Sequence, residues 1–297
     1  MSGGDQSGLK GGLPGNVEAA SGVLDGHVVA CVSWGNDSIA LVQHLHEEGL
    51  TDVTCLYNDT GWPGEGWTER VERCEAWAQS LGFQTARTSS EGMEALVVRK
   101  QGWPRQGMQF CTWELKIGPT IEWLSGADPE KLTICANGKR RAESQERSNT
   151  VEWIEESAAH DGRRLWQPLH DHDAQARDEL IRRAGFEVLP HKSRECRLCV
   201  NSNRVGLAKA SEADIAWVER VEARLGVSAK TGKAKTMFRP ARKMGATGIR
   251  EVVEWAKSAP GKYVRGTVDL FSLDDGTGPS ESATGCEPGF CEVEDAA

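Results

Sequence analysis

No apolar run in the 297-residue chain approaches the roughly 20 residues that span a bilayer, so no membrane segment is expected. The N-terminus also lacks a basic stretch followed by an apolar one, which argues against a secretory leader and for a soluble, cytoplasmic protein. There is no excess of positive charge: 35 Lys and Arg stand against 44 Asp and Glu, a formal net charge of -9. That balance excludes a wholly basic nucleic-acid coat protein, though a local basic surface is still allowed. The nine cysteines are an odd set without the regular spacing of a small disulfide framework, so metal, cluster or thiol chemistry is expected of them before disulfides. Two common phosphate-binding signatures are absent as well: neither GxxxxGK before Ser or Thr, nor a GxGxxG after a strand, occurs.

What the chain does contain begins at His27. Val28, Val29 and Val32 form a short apolar run, and Ile39, Leu41, Val42 and Leu45 then recur at helical spacing, so Ser33 to Ser38 reads as a strand-to-helix turn. Such a turn aims free backbone N–H groups and the positive end of a helix dipole at its occupant, and Gly35 lets that occupant approach the main chain. Phosphate suits it. A second strand, VTCLY, ends in Asn58, Asp59, Thr60 and Gly61, which places Asp59 at the same edge of a parallel sheet. Strands are also expected at Phe83 to Thr88, Lys131 to Asn137 and Leu165 to Leu169. Helices are expected at Gly66 to Leu81, Met93 to Lys100, Asp173 to Ala184, Ser211 to Leu225 and around Ile249 to Ala256. Cys31, Cys55, Cys74 and Cys135 fall on apolar stripes and read as core.

The turn SWGNDS resembles the SGGxDS signature of the PP-loop, or adenine nucleotide alpha hydrolase, superfamily, with Trp34 in place of the first glycine. Gly138, Arg140, Glu143, Ser144 and Arg147 fill every position of GxRxxESxxR, a second signature of the same relatives, and FCTWELKIGP from Phe110 resembles a third segment of their phosphoadenosine phosphosulfate reductase-like branch. The resemblance runs from about His27 to Arg204 and implies a doubly wound α/β parallel sheet. It further implies that Ser33, Trp34, Gly35, Asn36 and Ser38 cradle the phosphates of an adenine nucleotide, ATP or a sulfonucleotide such as adenylyl or phosphoadenylyl sulfate. Asp37 would hold magnesium, and Asp59 would lie in the nucleotide site. Arg140 and Arg147 present planar forks suited to phosphate oxygens, with Glu143 available to an arginine or a ribose hydroxyl. Lys116 is expected near a phosphate and Cys111 near the sheet's mouth. Replacing Asp37 by alanine is expected to abolish pyrophosphate release and to leave the fold intact.

The remaining cysteines form a CxxC, Cys196 and Cys199, and a terminal pair, Cys286 and Cys291, in a tail of Gly, Ser, Asp and Glu. Thiolates from distant segments converging on one ion or cluster would capture such a tail. Cluster-containing sulfonucleotide reductases resemble this chain in a cysteine at the position of Cys111 and a later CxxC, but carry a cysteine pair where Phe110 and Cys111 stand. The implied 4Fe-4S ligands are therefore Cys111, Cys196, Cys199 and a tail cysteine, Cys291 or Cys286. A four-thiolate zinc site of the CxxC with both tail cysteines is the alternative. His170, Asp171, His172 and Asp173 also invite a metal reading, but capping of the following helix by Asp173 is preferred.

Between Lys230 and Arg250 there are Lys230, Lys233, Lys235, Arg239, Arg242, Lys243 and Arg250 with no acidic residue among them, a segment suited to a polyanion such as tRNA or DNA. The organisation expected is a flexible leader over 1–26, a nucleotide-binding domain over 27–205, a helical region over 206–270 and a cysteine-bearing tail over 271–297. Three activities follow as alternatives. The first is ATP-dependent adenylation of a substrate oxygen for sulfur transfer. The second is reduction of a sulfonucleotide with a thioredoxin-like partner. The third is a zinc-containing nucleic-acid-binding protein without turnover.

Overall fold

The computed structural model describes residues 26–105, 107–145, 147–238 and 248–258. The leader, the tail with Cys286 and Cys291, and Arg239, Arg242 and Lys243 lie outside the described residues.

Six strands, β1 (Val28–Val32), β2 (Val53–Asp59), β3 (Gln84–Ser89), β4 (Ile134–Ala136), β5 (Trp153–Ser157) and β6 (Arg163–Trp166), form one sheet in the order β3-β2-β1-β4-β6-β5. All neighbours run parallel except β5, which pairs antiparallel with β6. Every residue of β1 is buried, as a central strand covered on both faces requires. Val28, Ala30 and Val32 pack on one face with Leu41 of α1 (Asn36–Glu47), Val71 of α2 (Trp67–Ser80) and, from farther along the chain, Leu180 and Ile181. On the other face Val29 packs with Leu124 and Cys31 with Ile117. Cys31, Cys55, Cys74 and Cys135 are core thiols, and burial pushes Cys31 up to about 12.

After α3 (Met93–Arg99) the chain enters a long helical segment that changes pitch twice. α4 (Phe110–Thr112) opens into a π-helical turn at Trp113–Ile117 and then tightens into α5 (Gly118–Ala127). Such a turn widens the helix locally and re-aims its side chains. Here it carries Lys116 inward to burial. α6 (Ala174–Arg183) starts at Asp173, whose carboxylate accepts the Ala176 N–H at 2.8 Å, so the capping expectation holds. α7 (Arg204–Ala208), α8 (Glu212–Leu225) and α9 (Ile249–Lys257) close a second core with Trp62, Leu96, Leu115 and Leu198. α8 begins with the Ser211 and Asp214 capping box that its sequence suggests.

Two expectations change. The fourth strand is three residues long instead of seven, and β6 ends at Trp166, before Pro168, which has no N–H for a ladder. β5 has no counterpart in the sequence reading: two of its five residues are glutamates, and as an edge strand it needs only one covered side. Beside it, His160 is fully buried, shares a 2.8 Å hydrogen bond with Ser157 Oγ, and is lowered to about 3 by burial and by the charges of Lys139 and Arg163. The unfolded chain therefore binds the extra proton between about pH 6.5 and 3, so stability is full above that range and falls as acid is added. A urea series should show this loss between pH 7 and 4.5. His160→Gln, which cannot titrate, should have a flatter slope by up to about 1.4 kcal/mol per pH unit.

Candidate active site at the switch point of the sheet

Because β2 and β3 extend to one side of β1 and β4, β6 and β5 to the other, the connections from β1 and β4 leave in opposite directions and open a crevice at their carboxyl ends. The turn Ser33–Ser38 sits there. The Ser33 N–H donates to Ser38 Oγ at 2.9 Å and the Gly35 N–H to Ser33 Oγ at 3.3 Å, so the two serines brace the turn from within. Gly35 is the N-cap of α1, and no side chain caps the helix. The first N–H groups of α1 are thus left for an anion. Asn36 faces away, with its amide holding both the N–H and the carbonyl of Leu189 at 2.9 and 3.0 Å.

Trp34 has φ of 63°, in the left-handed region where the related signature has glycine. A bulky residue there costs on the order of 1 kcal/mol of strain. The indole is fully buried among Val32, Trp67 and Phe186, and that apolar burial outweighs the strain. Arg70 Nε fixes the strained turn by donating to the Trp34 carbonyl at 2.7 Å.

Gly138 follows β4, and its role is steric: a Cβ on it would lie 2.9 Å from the Asp37 carbonyl oxygen. Its neighbour Arg140 does not present a fork to the crevice as expected. Arg140 is 2% exposed, and its Nε donates to Asp37 Oδ1 at 2.6 Å while Nη1 reaches the His172 carbonyl. Asp37 is therefore the anchor of a buried ion pair, with only Oδ2 lacking a hydrogen bond among the described residues. Glu143 takes the arginine of its two expected options: it pairs with Arg147 and also accepts the Arg140 N–H at 3.1 Å. Ser144 Oγ accepts the Arg147 N–H. Asp59, at the end of β2, closes a turn by accepting the Gly61 N–H at 2.8 Å and stays exposed.

Lys116 corrects the sequence reading further. It is buried, 8% exposed, and forms a 2.7 Å ion pair with Glu195, a residue that sequence reasoning passed over. Burial opposes the ammonium, but Glu195 and the thiols of Cys196 and Cys199 outweigh that cost and hold it above its ordinary range. Burial also raises Glu195, while Lys116 acts against the rise. The 2.7 Å contact decides for a charged pair, because either partner alone would be an uncompensated charge.

Around this pair stand the three expected thiols. Cys111 is pushed up to about 11 by burial and then by the Cys199 charge, and Cys196 is raised by burial despite Lys116. Cys111 and Cys196 thus each lie within electrostatic reach of the Cys199 thiol. Among the described residues no set of three His, Cys, Asp or Glu side chains is gathered tightly enough to hold an ion. Three thiols are donors of the kind that hold a thiolate-bound metal or cluster. In the histidine segment, His170 Nε2 lies 2.9 Å from Asp171 Oδ2 and Asp173 caps α6. In the basic segment, Lys230 and Lys233 are exposed, but Arg250 is neutralised by Glu212 and Glu219.

An open α/β sheet with an uncapped, serine-braced turn at its switch point is the arrangement of a PP-loop protein. The chain belongs to the phosphoadenosine phosphosulfate reductase domain family, whose model matches residues 27–197. Two solved structures are similar to it. Phosphoadenylyl-sulfate (PAPS) reductase from Candida auris, in a phosphate complex, is 13% identical over 57% of this chain and 77% of its own, with a TM-score of 0.39. The U34-tRNA thiolase NcsA from Methanococcus maripaludis, with its 4Fe-4S cluster, is 14% identical over 88% of this chain and 80% of its own, with a TM-score of 0.41. No curated protein matches the chain. No helix among the described residues is long and apolar enough to cross a membrane.

Proposed function

We propose that the protein is a PP-loop enzyme that cleaves ATP between its alpha and beta phosphates to adenylate a substrate oxygen, which sulfur then displaces. The observation that carries this reading is the uncapped start of α1, built on Ser33, Gly35 and Ser38, with Ser193 of the segment that leads to Cys196 and Cys199 lying against Gly35. The helix N-terminus binds phosphate in the ground state, and the substrate oxygen attacks the alpha phosphorus as the bond to the beta-phosphate oxygen breaks. Pyrophosphate leaves, and AMP leaves when sulfur takes the oxygen's place. Magnesium, held through Asp37 with Asp59 nearby, would neutralise the leaving pyrophosphate. A 4Fe-4S cluster on Cys111, Cys196, Cys199 and either Cys291 or Cys286 would supply a sulfur-handling centre.

On this reading residues 27–205 are the nucleotide unit, 206–270 a helical region and 271–297 a tail returned to the thiols. The acceptor class is nucleic acid, tRNA or DNA, met by the basic segment over 230–250. Anaerobic purification should give a brown protein absorbing near about 400 nm, from sulfur-to-iron charge transfer. Labelled ATP should yield AMP and pyrophosphate once an acceptor is present. Sulfite release from adenylyl or phosphoadenylyl sulfate with thioredoxin, and no pyrophosphate from ATP, would instead assign sulfonucleotide reduction. A colourless zinc protein that binds neither nucleotide would assign the non-catalytic alternative.

A further inference from the structure

The segment from Leu189 to Cys199 has no regular secondary structure, so its course is set by what it touches. One end lies on the phosphate turn: Asn36 holds Leu189 by both backbone groups, and a Cβ on Gly35 would come within 3.1 Å of Ser193 Cβ. The middle is held by the loop after β2, where the Gly64 N–H donates to the Arg194 carbonyl at 2.8 Å and the Arg197 N–H to the Trp62 carbonyl at 2.6 Å. The other end carries the CxxC. Arg194 and Arg197 fork the buried carboxylate of Asp214 on α8 at 2.7 and 2.9 Å, and Trp62 Nε1 donates to the Leu198 carbonyl.

A threonine touches this strap at its centre, on the residue whose carboxylate pairs with Lys116. Thr60 is fully buried, its Oγ1 donates to the Glu195 carbonyl at 2.9 Å, and the Cys196 thiol lies 3.9 Å from the same oxygen. Its own carbonyl accepts the N–H of Met93 at 3.0 Å, which ties it to the start of α3. Thr60 also follows Asp59, so the end of β2, the strap backbone and a thiol meet at one hydroxyl.

We propose that Thr60 is a positioning residue that couples the thiol site to nucleotide binding, by holding the strap as the second wall of the phosphate turn. This rests on the nucleotide reading above. A strap pinned at Asn36, Thr60 and the CxxC transmits a shift at either end to the other. By linkage, whatever firms the strap at the thiols raises nucleotide affinity, and nucleotide firms the strap in return.

The test compares the full chain with Thr60→Val, which keeps the shape and removes the hydroxyl, and with Thr60→Ser, which keeps the hydroxyl. Affinity for Mg-ATP is measured by calorimetry, and amide exchange of the peptide spanning Leu189 to Cys199 is followed with and without Mg-ATP. Mg-ATP should slow exchange in that peptide of the wild type. Thr60→Val should weaken Mg-ATP about fivefold, the equivalent of one buried hydrogen bond, and speed exchange of the strap while the peptide of β1 is unchanged. Thr60→Ser should restore both. A strap whose exchange ignores Mg-ATP, or a valine variant that binds as the wild type does, overturns the coupling while the nucleotide reading stands. Equal impairment by serine and valine also overturns it. A wild-type chain that binds no Mg-ATP overturns the functional reading and the coupling together.

Discussion

Replacing Asp37 by asparagine should lower ATP-dependent pyrophosphate release by about 10²- to 10³-fold, the size of effect seen when one preorganised charge contact is removed from a reacting centre. Asparagine keeps the shape and still accepts the Arg140 Nε–H that Asp37 Oδ1 accepts at 2.6 Å. What it loses is the negative charge available to a cation at Oδ2. Alanine is a different experiment. It strands the Arg140 guanidinium, 2% exposed, beside Arg177 at the edge of the same contact, and an unpaired buried charge costs about 3–5 kcal/mol. The expectation that Asp37→Ala leaves the fold intact therefore fails on the geometry, and loss of activity in that variant would say little about chemistry. The pair of variants separates the two roles. Asp37→Asn should melt within a few degrees of the wild type with release nearly gone, whereas Asp37→Ala should lose both. Wild-type release by the asparagine variant would remove Asp37 from the mechanism.

That distinction marks where the sequence was informative. Patterns governed by neighbours in the chain were legible: the buried run of β1, the helical stripe of α1, the capping box of α8 and the Asp173 cap all follow from local spacing. So was the glycine before Arg140, although its reason, that a Cβ there would come within 2.9 Å of the Asp37 carbonyl oxygen, belongs to tertiary structure. The arginine itself was misread because a guanidinium suits a phosphate and a carboxylate equally, and only the fold decides which is nearer. Lys116 and Glu195, 79 positions apart, could not be paired from spacing, and the π-helical turn that carries Lys116 inward breaks the very period by which helices are read. The strap was invisible for a related reason. It has no periodicity, and the side chains that hold it, those of Asn36, Thr60, Trp62 and Lys116, stand far from it in the chain.

The Lys116–Glu195 pair leads to the second large effect. Lys116→Met should destabilise the protein by about 3–5 kcal/mol near pH 8, since it leaves a carboxylate that is 2% exposed with no cation, and with Oε1 lacking a hydrogen bond even in the wild type. The sign of its pH dependence follows from burial, which raises Glu195. With the lysine gone nothing opposes that rise, so the folded variant holds a proton that the unfolded chain releases above about pH 4.3. The stability lost in Lys116→Met should therefore be largest at high pH and shrink as the medium is acidified toward pH 5. Replacing both residues by methionine should recover most of the loss, because a well-packed apolar pair of similar volume is often as stable as a buried ion pair. Yet the double variant would leave Cys196 without the ammonium that now lowers it; losing the Glu195 charge, which raises it less, offsets only part of that change, so its thiol should react more slowly with an alkylating reagent in metal-free, reduced protein. Stability thus returns while reactivity does not, which distinguishes a pair retained for the thiols from one retained for the fold. Urea titrations of the three proteins at pH 5 and 8, with alkylation rates at Cys196, give both readings. A Lys116→Met variant as stable as the wild type at pH 8 would show that the ion pair does not hold the fold, and a double variant that alkylates at the wild-type rate would show that the buried lysine does not act on the thiols.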